Sequence, residues 1–142
     1  MDVKIKRIDK GLPLPAYHSA GAVGFDLLCR EECTVAPSSI ALLPANLVVA
    51  TPPGYMLLVT ARSSTPRLKG LLVPHGVGVI DQDYRGDDDE IHVQVYNFTD
   101  APVTVARGER IAQAIFVRVD TATWAEVDSM EVPTRGGFGS TG

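Results

Sequence analysis

The chain is organised around one short stretch, Gly78-Val79-Ile80-Asp81-Gln82-Asp83-Tyr84-Arg85-Gly86. The two β-branched residues near its start favour an extended, buried backbone. The acidic residues and the closing glycine favour a turn. The pattern therefore predicts a strand that ends at Asp81, where the carboxylate can meet both water and a ligand. A carboxylate in that position suits a general base, although Asp-rich turns are also typical of ordinary hairpin ends.

Length, composition and charge limit the possible functions. A chain of 142 residues is long enough for one domain with a real core, and 45% hydrophobic with 21% charged residues is an ordinary globular composition. The formal net charge of −4 argues against a general binder of nucleic acid or membrane surfaces. The N-terminus has no apolar signal core, and Pro44 and Asn46 interrupt the most apolar region. We therefore expect no membrane span and a cytoplasmic location.

Short apolar runs between turn residues predict an all-β fold. Val3 and Ile5 alternate with lysines, which predicts a first strand with one buried face, and a similar alternation follows in residues 91–96. Residues 71–80 read as a hairpin around Pro74-His75-Gly76, and the acidic residues 87–90 read as a solvated loop. About ten short strands without a long amphipathic helix, a repeat or a linker predict a single β-sandwich or barrel.

Two local patterns suggest sites that bind an ion, an anion in the first case and a cation in the second. Cations and hydroxyls crowd residues 61–70, where a helical turn starting at the Ser-Ser-Thr-Pro step would point backbone N–H groups at an anion. The residues that would bind the anion are Arg62, Ser63 and Ser64. The alternative is that the segment is only a solvated loop with a helix cap. Asp26 lies inside an apolar strand and needs a partner. That partner is a backbone turn, an arginine or a hydrated cation.

Three further features have no assigned role from composition alone. Gln113 is a polar amide in an apolar strand and needs a purpose or a partner. Cys29 and Cys33 can form a disulfide, but nothing indicates secretion, so we favour buried free thiols. Residues 134–142 are rich in glycine and carry one aromatic ring, which suggests a lid rather than a tail without function. We expect residues 1–133 to form the β domain and residues 134–142 its flexible lid.

Taken together, five stretches resemble the five motifs of the trimeric dUTP diphosphatase (dUTPase) family. Any one of them is a weak signal, but all five occur in the right order over nearly the whole chain. The stretches are Ala20-Gly21-Ala22-Val23-Gly24-Phe25-Asp26-Leu27, Arg62-Ser63-Ser64, Gly78 to Gly86, Arg110-Ile111-Ala112-Gln113-Ala114-Ile115-Phe116 and Gly136-Gly137-Phe138-Gly139-Ser140-Thr141-Gly142.

The resemblance implies a jelly-roll subunit in a homotrimer with active sites at the subunit interfaces. It implies Mg²⁺-dependent hydrolysis of dUTP to dUMP and pyrophosphate, which supplies dUMP and excludes uracil from DNA. Asp81 would activate the water that attacks the α-phosphorus, and Tyr84 would lie under the deoxyribose and exclude a 2′-OH. Asp26 would accept a hydrogen bond from water on a Mg²⁺ that the triphosphate chelates. The implied substrate-binding residues are Arg62, Ser63, Ser64 and Gln113 for phosphates, His75, Gly76, Val79 and Ile80 for the base, Tyr84 for the sugar, and Arg135, Phe138, Gly139, Ser140 and Thr141 in the lid.

The chain departs from the family pattern at three places. Arg135 stands closer to Phe138 than is usual, and Pro133 occupies the usual arginine position. His75 stands where an asparagine is common, and the acidic run lengthens a turn.

Two rival functions belong to the same fold. A dCTP deaminase, whether it acts alone or combines deamination with hydrolysis, would need a glutamate as proton shuttle where Gln94 stands. A nucleotide-responsive regulatory protein would use the fold for binding rather than for catalysis. The first rival predicts ammonia release from dCTP. Against the second, the intact Asp81 and the glycine-rich tail indicate that catalysis remains.

Overall fold

The structure is a computed structural model that describes all residues from Met1 to Gly142. It contains only short strands and one short helix, as the turn-rich sequence predicts. The elements are β1 (Ile5–Arg7), β2 (Gly24–Leu28), β3 (Cys33–Val35), β4 (Ser39–Pro44), β5 (Leu47–Val49), β6 (Tyr55–Thr60), α1 (Thr65–Lys69), β7 (Leu71–Leu72), β8 (Gly78–Ile80), β9 (His92–Asn97), β10 (Val103–Val105) and β11 (Arg110–Arg118).

Two larger sheets enclose the core. One has the strand order β2-β11-β6-β8 and the other β4-β9-β7, and two-stranded pairs β1-β5 and β3-β10 complete the shell. Because side chains alternate across a strand, Leu27 and Leu57 of the first sheet face Val93 and Val95 of the second. All four belong to one cluster of 19 buried residues. The predicted single all-β domain is therefore confirmed.

Helix α1 forms at the predicted Ser-Ser-Thr-Pro step. Pro66 suits the first turn of a helix because its missing N–H has no partner to lose there. Gly70 ends the helix in a left-handed conformation with φ of 69°, and its N–H donates to the Pro66 carbonyl at 3.1 Å. The Ser64 side chain makes no capping hydrogen bond, so its hydroxyl is free for another partner.

The predicted hairpin within residues 71–80 is wrong. Strand β7 pairs with β9, whereas β8 pairs with β6, so the two strands belong to different sheets. The turn between them crosses the gap, where Gly76 has φ of 80° and donates its N–H to the Val73 carbonyl at 3.0 Å. Two apolar pieces around a Pro-Gly turn cannot distinguish a hairpin from a connection between sheets, because each piece pairs outside the local sequence.

Two expectations about burial also fail. Strand β1 does not have the buried face that its alternation predicts, because Ile5 is exposed and only Val3 packs partly against the core. The acidic loop is solvated at Asp87 and Asp88, but Glu90 is only 7% exposed. Its carboxylate is buried because Arg30 pairs with it, at 2.8 Å from Nε and 3.2 Å from Nη2.

Both cysteines are free thiols, as favoured from the sequence. Cys29 is buried and Cys33 is half-buried, and both thiols donate to the Glu31 carbonyl, at 3.1 Å and 3.5 Å. Burial, together with the neighbouring Cys33, raises the pKa of the Cys29 thiol to about 12. Cys29 is therefore protonated and a poor nucleophile near neutral pH.

The C-terminal residues form an arm outside the body of the domain. The last backbone hydrogen bond to the body runs from the Val119 N–H to the Gly54 carbonyl at 2.9 Å. Beyond it, Trp124 is 91% exposed, and nearly every residue up to Gly142 is exposed. No helix has the length and apolar character that a membrane span requires.

Candidate functional site

One row of polar side chains crosses the outer face of the four-stranded sheet. Gln113 of β11 lies opposite Asp26 of β2 on one side and opposite Thr60 of β6 on the other. Burial alternates along β2, so the neighbours of Asp26 face the core while Asp26 faces outward. The Gln113 amide donates to the Ala61 carbonyl at 3.1 Å. The sheet register therefore brings two of the sequence-predicted site residues together.

Asp26 is the centre of a cluster of cations. Its Oδ1 lies 2.9 Å from Arg62 Nε, and its Oδ2 lies 3.3 Å from both Arg110 Nε and His18 Nε2. The arginine alternative for the partner of Asp26 is thus confirmed. The carboxylate is 15% exposed, so it remains accessible from outside the protein. With two arginines around one carboxylate, the cluster carries excess positive charge and suits an anion.

The Arg62-Ser63-Ser64 segment lies beside this cluster, between β6 and α1. Arg62 uses Nε for Asp26, and its two terminal nitrogens make no hydrogen bond within the chain. Ser63 is exposed, and neither serine side chain is used as a helix cap. These groups are free donors, which is what phosphate oxygens require.

A second group of predicted residues follows β8. The Asp81 carboxylate is exposed and makes no side-chain hydrogen bond. The turn around it is held at two points, by the Gln82 amide on the Tyr55 carbonyl at 3.0 Å and by the Tyr84 hydroxyl on the Glu90 carbonyl at 3.0 Å. A carboxylate that is free, exposed and carried on a fixed turn can act on a water molecule.

A cavity of about 310 Å³ opens between β8 and β9. Strand β7 reaches only Tyr96 and Asn97 of β9, and β8 pairs with β6 along one edge only. The backbone edges that face the cavity therefore have no strand partner and can bind a flat polar ring. The lining residues are Leu42, Val59, Val73, His75, Gly78, Val79, Ile80, His92, Val93 and Gln94.

The two groups lie at opposite ends of one strand pair. In the antiparallel register of β6 and β8, Leu57 lies opposite Ile80 and Val59 lies opposite Gly78. Asp81 follows the first end and Arg62 follows the second, so at about 3.3 Å per residue they are about 20 Å apart. A single chain therefore does not bring Asp81 to the phosphate-type donors.

The predicted lid residues lie outside both groups. Phe138 is fully exposed, and Arg135, Gly139, Ser140 and Thr141 are exposed as well. The tail is folded only on itself, with the Gly137 N–H donating to Ser140 Oγ at 2.6 Å. Three of its glycines have positive φ, which only glycine adopts without strain.

Sequence reasoning missed three residues around these groups. His18 and Arg110 contact Asp26, and Glu90 supports the turn that carries Tyr84. A β-bulge between Arg110 and Ala112 shifts the alternation of β11, so counting every second residue does not place Arg110 beside Asp26.

Comparisons with known proteins agree with these motifs. The family model described as dUTPase matches residues 10–142. Deoxyuridine 5′-triphosphate nucleotidohydrolase of Methylocella silvestris is 43% identical over 150 residues, which cover 100% of this chain and 92% of that protein. The protein of the same name from Thermobifida fusca is 41% identical and covers 99% of this chain and 78% of its own length.

Solved structures show the same architecture. A dUTPase from Streptococcus mutans superposes with a TM-score of 0.77 at 31% identity, over 84% of this chain and 98% of that chain. The Staphylococcus bacteriophage 80alpha dUTPase with dUPNHPP superposes with a TM-score of 0.87, over 99% of this chain and 98% of that chain. At 23% identity the second likeness shows the fold alone.

Proposed function

This chain belongs to the dUTPase family and is a dUTP diphosphatase, and on that basis we propose how its residues carry out the reaction. The observation that carries the proposal is the free carboxylate of Asp81 on its fixed turn. Asp81 accepts a proton from the water that attacks the α-phosphorus of dUTP. The products are dUMP and pyrophosphate. A positioned base of this kind contributes about 10²–10⁴-fold to the rate.

We propose that the cavity between β8 and β9 binds uracil. Its unpaired backbone groups offer donors and acceptors to the edge of the base, and Gly76 lets the chain turn sharply beside it. Val79 and Ile80 contribute the strand edge, and His75 stands beside it. On this proposal the site is too narrow to admit the methyl group of thymine. Tyr84 lies on the turn that follows β8, and we propose that its ring lies under the deoxyribose and excludes a ribose 2′-OH.

The phosphates bind to the cationic cluster. The proposed phosphate donors keep hydrogen-bonding capacity that the chain does not use. They are Arg62, Ser63, Ser64 and Gln113. A dUTP triphosphate brings about four negative charges, so clustered cations must balance them before an anionic base approaches. Because the protein as a whole is acidic, the positive charges that balance the triphosphate have to be concentrated at the site itself.

We propose that the reaction depends on Mg²⁺. The residues present fit this ion: Mg²⁺ prefers oxygen ligands and keeps several waters, and Asp26 offers a partly exposed carboxylate beside the phosphate donors. No group of three or more His, Cys, Asp or Glu side chains converges in the chain, and on this proposal the triphosphate would supply the direct ligands. Asp26 would accept a hydrogen bond from a bound water, and the ion supplies shielding of the phosphate charge.

We propose that the enzyme is a homotrimer with each site shared between subunits. The separation of about 20 Å between Asp81 and Arg62 within one chain supports this arrangement, because no single side chain spans it. The outer face of the four-stranded sheet also carries an apolar row, in which Ile115 lies opposite Leu58 and Leu58 opposite Val79. Val79 is 55% exposed, which is typical of a surface that another copy covers.

The C-terminal arm closes the site. We propose that Phe138 covers the uracil and that Arg135, Ser140 and Thr141 surround the γ-phosphate, with Gly139 giving the backbone its freedom. The arm extends from the body with its side chains exposed, which supports a role on a neighbouring subunit.

Substrate profiling with one variant tests this proposal. With Mg²⁺ present, we expect pyrophosphate release from dUTP and little from dCTP, dTTP or UTP, and no ammonia from dCTP. Asp81→Asn should abolish turnover while dUTP still binds. Ammonia release from dCTP, or full turnover by Asp81→Asn, would contradict the assignment.

A further inference from the structure

We propose that Glu90 is a positioning residue that, through Arg30, fixes Tyr84 and so controls the discrimination between deoxyribose and ribose. This inference rests on the proposed contact between Tyr84 and the sugar. It assigns a role to a residue that the sequence places in a solvated acidic loop.

The Tyr84 ring is held by one hydrogen bond to the backbone of Glu90. Its hydroxyl donates to the Glu90 carbonyl at 3.0 Å, and Nδ1 of His92 contacts the same oxygen at 2.9 Å. Tyr84 itself is 39% exposed and therefore has little packing to hold its ring. The position of this carbonyl consequently decides where the ring lies.

The Glu90 side chain anchors that carbonyl to the body of the domain. Besides the two bonds from Arg30, Oε1 accepts the Asn46 N–H at 2.9 Å. Asn46 adopts a left-handed conformation with φ of 68°, and its side chain bonds the Asp9 backbone at 2.6 Å and 3.0 Å. The hydrogen bonds that Arg30 donates to the Glu90 carboxylate hold the pKa of the Arg30 guanidinium above its usual value. A buried carboxylate that loses its charged partner cannot keep this geometry.

The turn that carries the proposed catalytic carboxylate has a second support, which does not involve Glu90. Asp81 is adjacent to Gln82, whose amide bonds the Tyr55 carbonyl on β6 at 3.0 Å. Loss of the Glu90 anchor therefore displaces the Tyr84 ring more than it displaces the Asp81 carboxylate. The preference for dUTP over UTP depends on where the ring lies, whereas dUTP turnover depends chiefly on Asp81. The two measurements should respond differently to the same substitution.

The test compares kcat/KM for dUTP and UTP in Glu90→Gln, with Glu31→Gln as the matched control. Glu31 also pairs with Arg30, at 3.6 Å, but is exposed and does not contact the turn. We expect Glu90→Gln to lower the dUTP:UTP ratio about five- to tenfold, which corresponds to losing one or two hydrogen bonds. Glu31→Gln should leave the ratio unchanged. An unchanged ratio in folded Glu90→Gln overturns the proposal.

Substitutions at Tyr84 complete the test and do not depend on the folding of Glu90→Gln. Tyr84→Phe keeps the ring and removes the donor, so it should lower the ratio by the same factor, and the double variant should be no worse than either single one. An unchanged ratio in Tyr84→Phe, or additive losses, overturns the proposal. Tyr84→Leu removes the ring itself. If Tyr84→Leu keeps the wild-type dUTP:UTP ratio, the proposed contact between Tyr84 and the sugar is wrong. If Tyr84→Leu lowers the ratio but Glu90→Gln and Tyr84→Phe do not, only the proposed role of Glu90 is wrong.

Discussion

If the catalytic carboxylate and the phosphate donors of one site come from different subunits, as we propose, mixing two inactive variants should restore activity. Asp81→Asn removes the proposed base, and Arg62→Gln removes a proposed phosphate donor at the other end of the β6–β8 pair. The two positions are about 20 Å apart within one chain. Each variant alone assembles trimers in which every site lacks one essential group.

The expected recovery follows from the geometry. A mixed site is intact only if the subunit that supplies the base carries the arginine substitution and its neighbour carries the aspartate substitution. For random assembly at equal amounts, each condition has even odds, so about one quarter of the sites are intact. At a nine-to-one ratio the intact fraction falls to about one tenth.

The assay refolds the two variants together from denaturant, or co-expresses them with different tags, and measures pyrophosphate release. A matched control combines Arg62→Gln with Asp26→Asn. These residues contact each other at 2.9 Å in the same half of the site, so their mixture should recover nothing. If the Asp81 and Arg62 variants also recover nothing, although mixed trimers are isolated, the shared site is refuted.

Three further predictions concern the lid, a thiol and the backbone. Arg135→Ala should lower kcat much more than dUTP binding if the arginine acts on transition-state charge, measured by steady-state kinetics and calorimetry; an unchanged kcat would show that it is not used. Burial and the neighbouring Cys33 raise the pKa of the Cys29 thiol from 9.0 to about 12. Iodoacetamide near pH 8 should therefore label Cys33 and spare Cys29, as measured by mass spectrometry. The stability that the protonated Cys29 thiol contributes should be present below pH 9 and lost as the pH rises towards 12. Gly70→Ala should lower the free energy of unfolding by about 1–3 kcal/mol in urea denaturation, because φ is 69° and the new Cβ collides with Thr99.

Much of the fold, and the need of Asp26 for a partner, could be predicted because they depend on local pattern. The alternation of Ile91, Val93 and Val95 with polar residues predicts a half-buried strand, and all three are buried. An aspartate within an apolar strand requires a partner, and Asp26 has two arginines. In both cases the physical demand arises within a few residues of sequence.

The missed features depend on long-range contacts. Glu90 reads as the end of a solvated acidic run, and only its pairing with Arg30, sixty positions earlier, buries it. The sequence of β7 and β8 predicts a hairpin because nothing local indicates that β7 pairs with β9 and β8 with β6. The separation of Asp81 from Arg62 follows from strand register, which the sequence does not contain.

The role of Asp81 is tested most directly by a crystal structure of the enzyme with Mg²⁺ and α,β-imido-dUTP. We predict that the Asp81 carboxylate lies within hydrogen-bonding distance of a water placed in line with the α-phosphorus, while Arg62 of an adjacent copy binds the phosphates. A structure in which that carboxylate has no water between it and the α-phosphorus, or lies at the far end of the triphosphate, would contradict the mechanism.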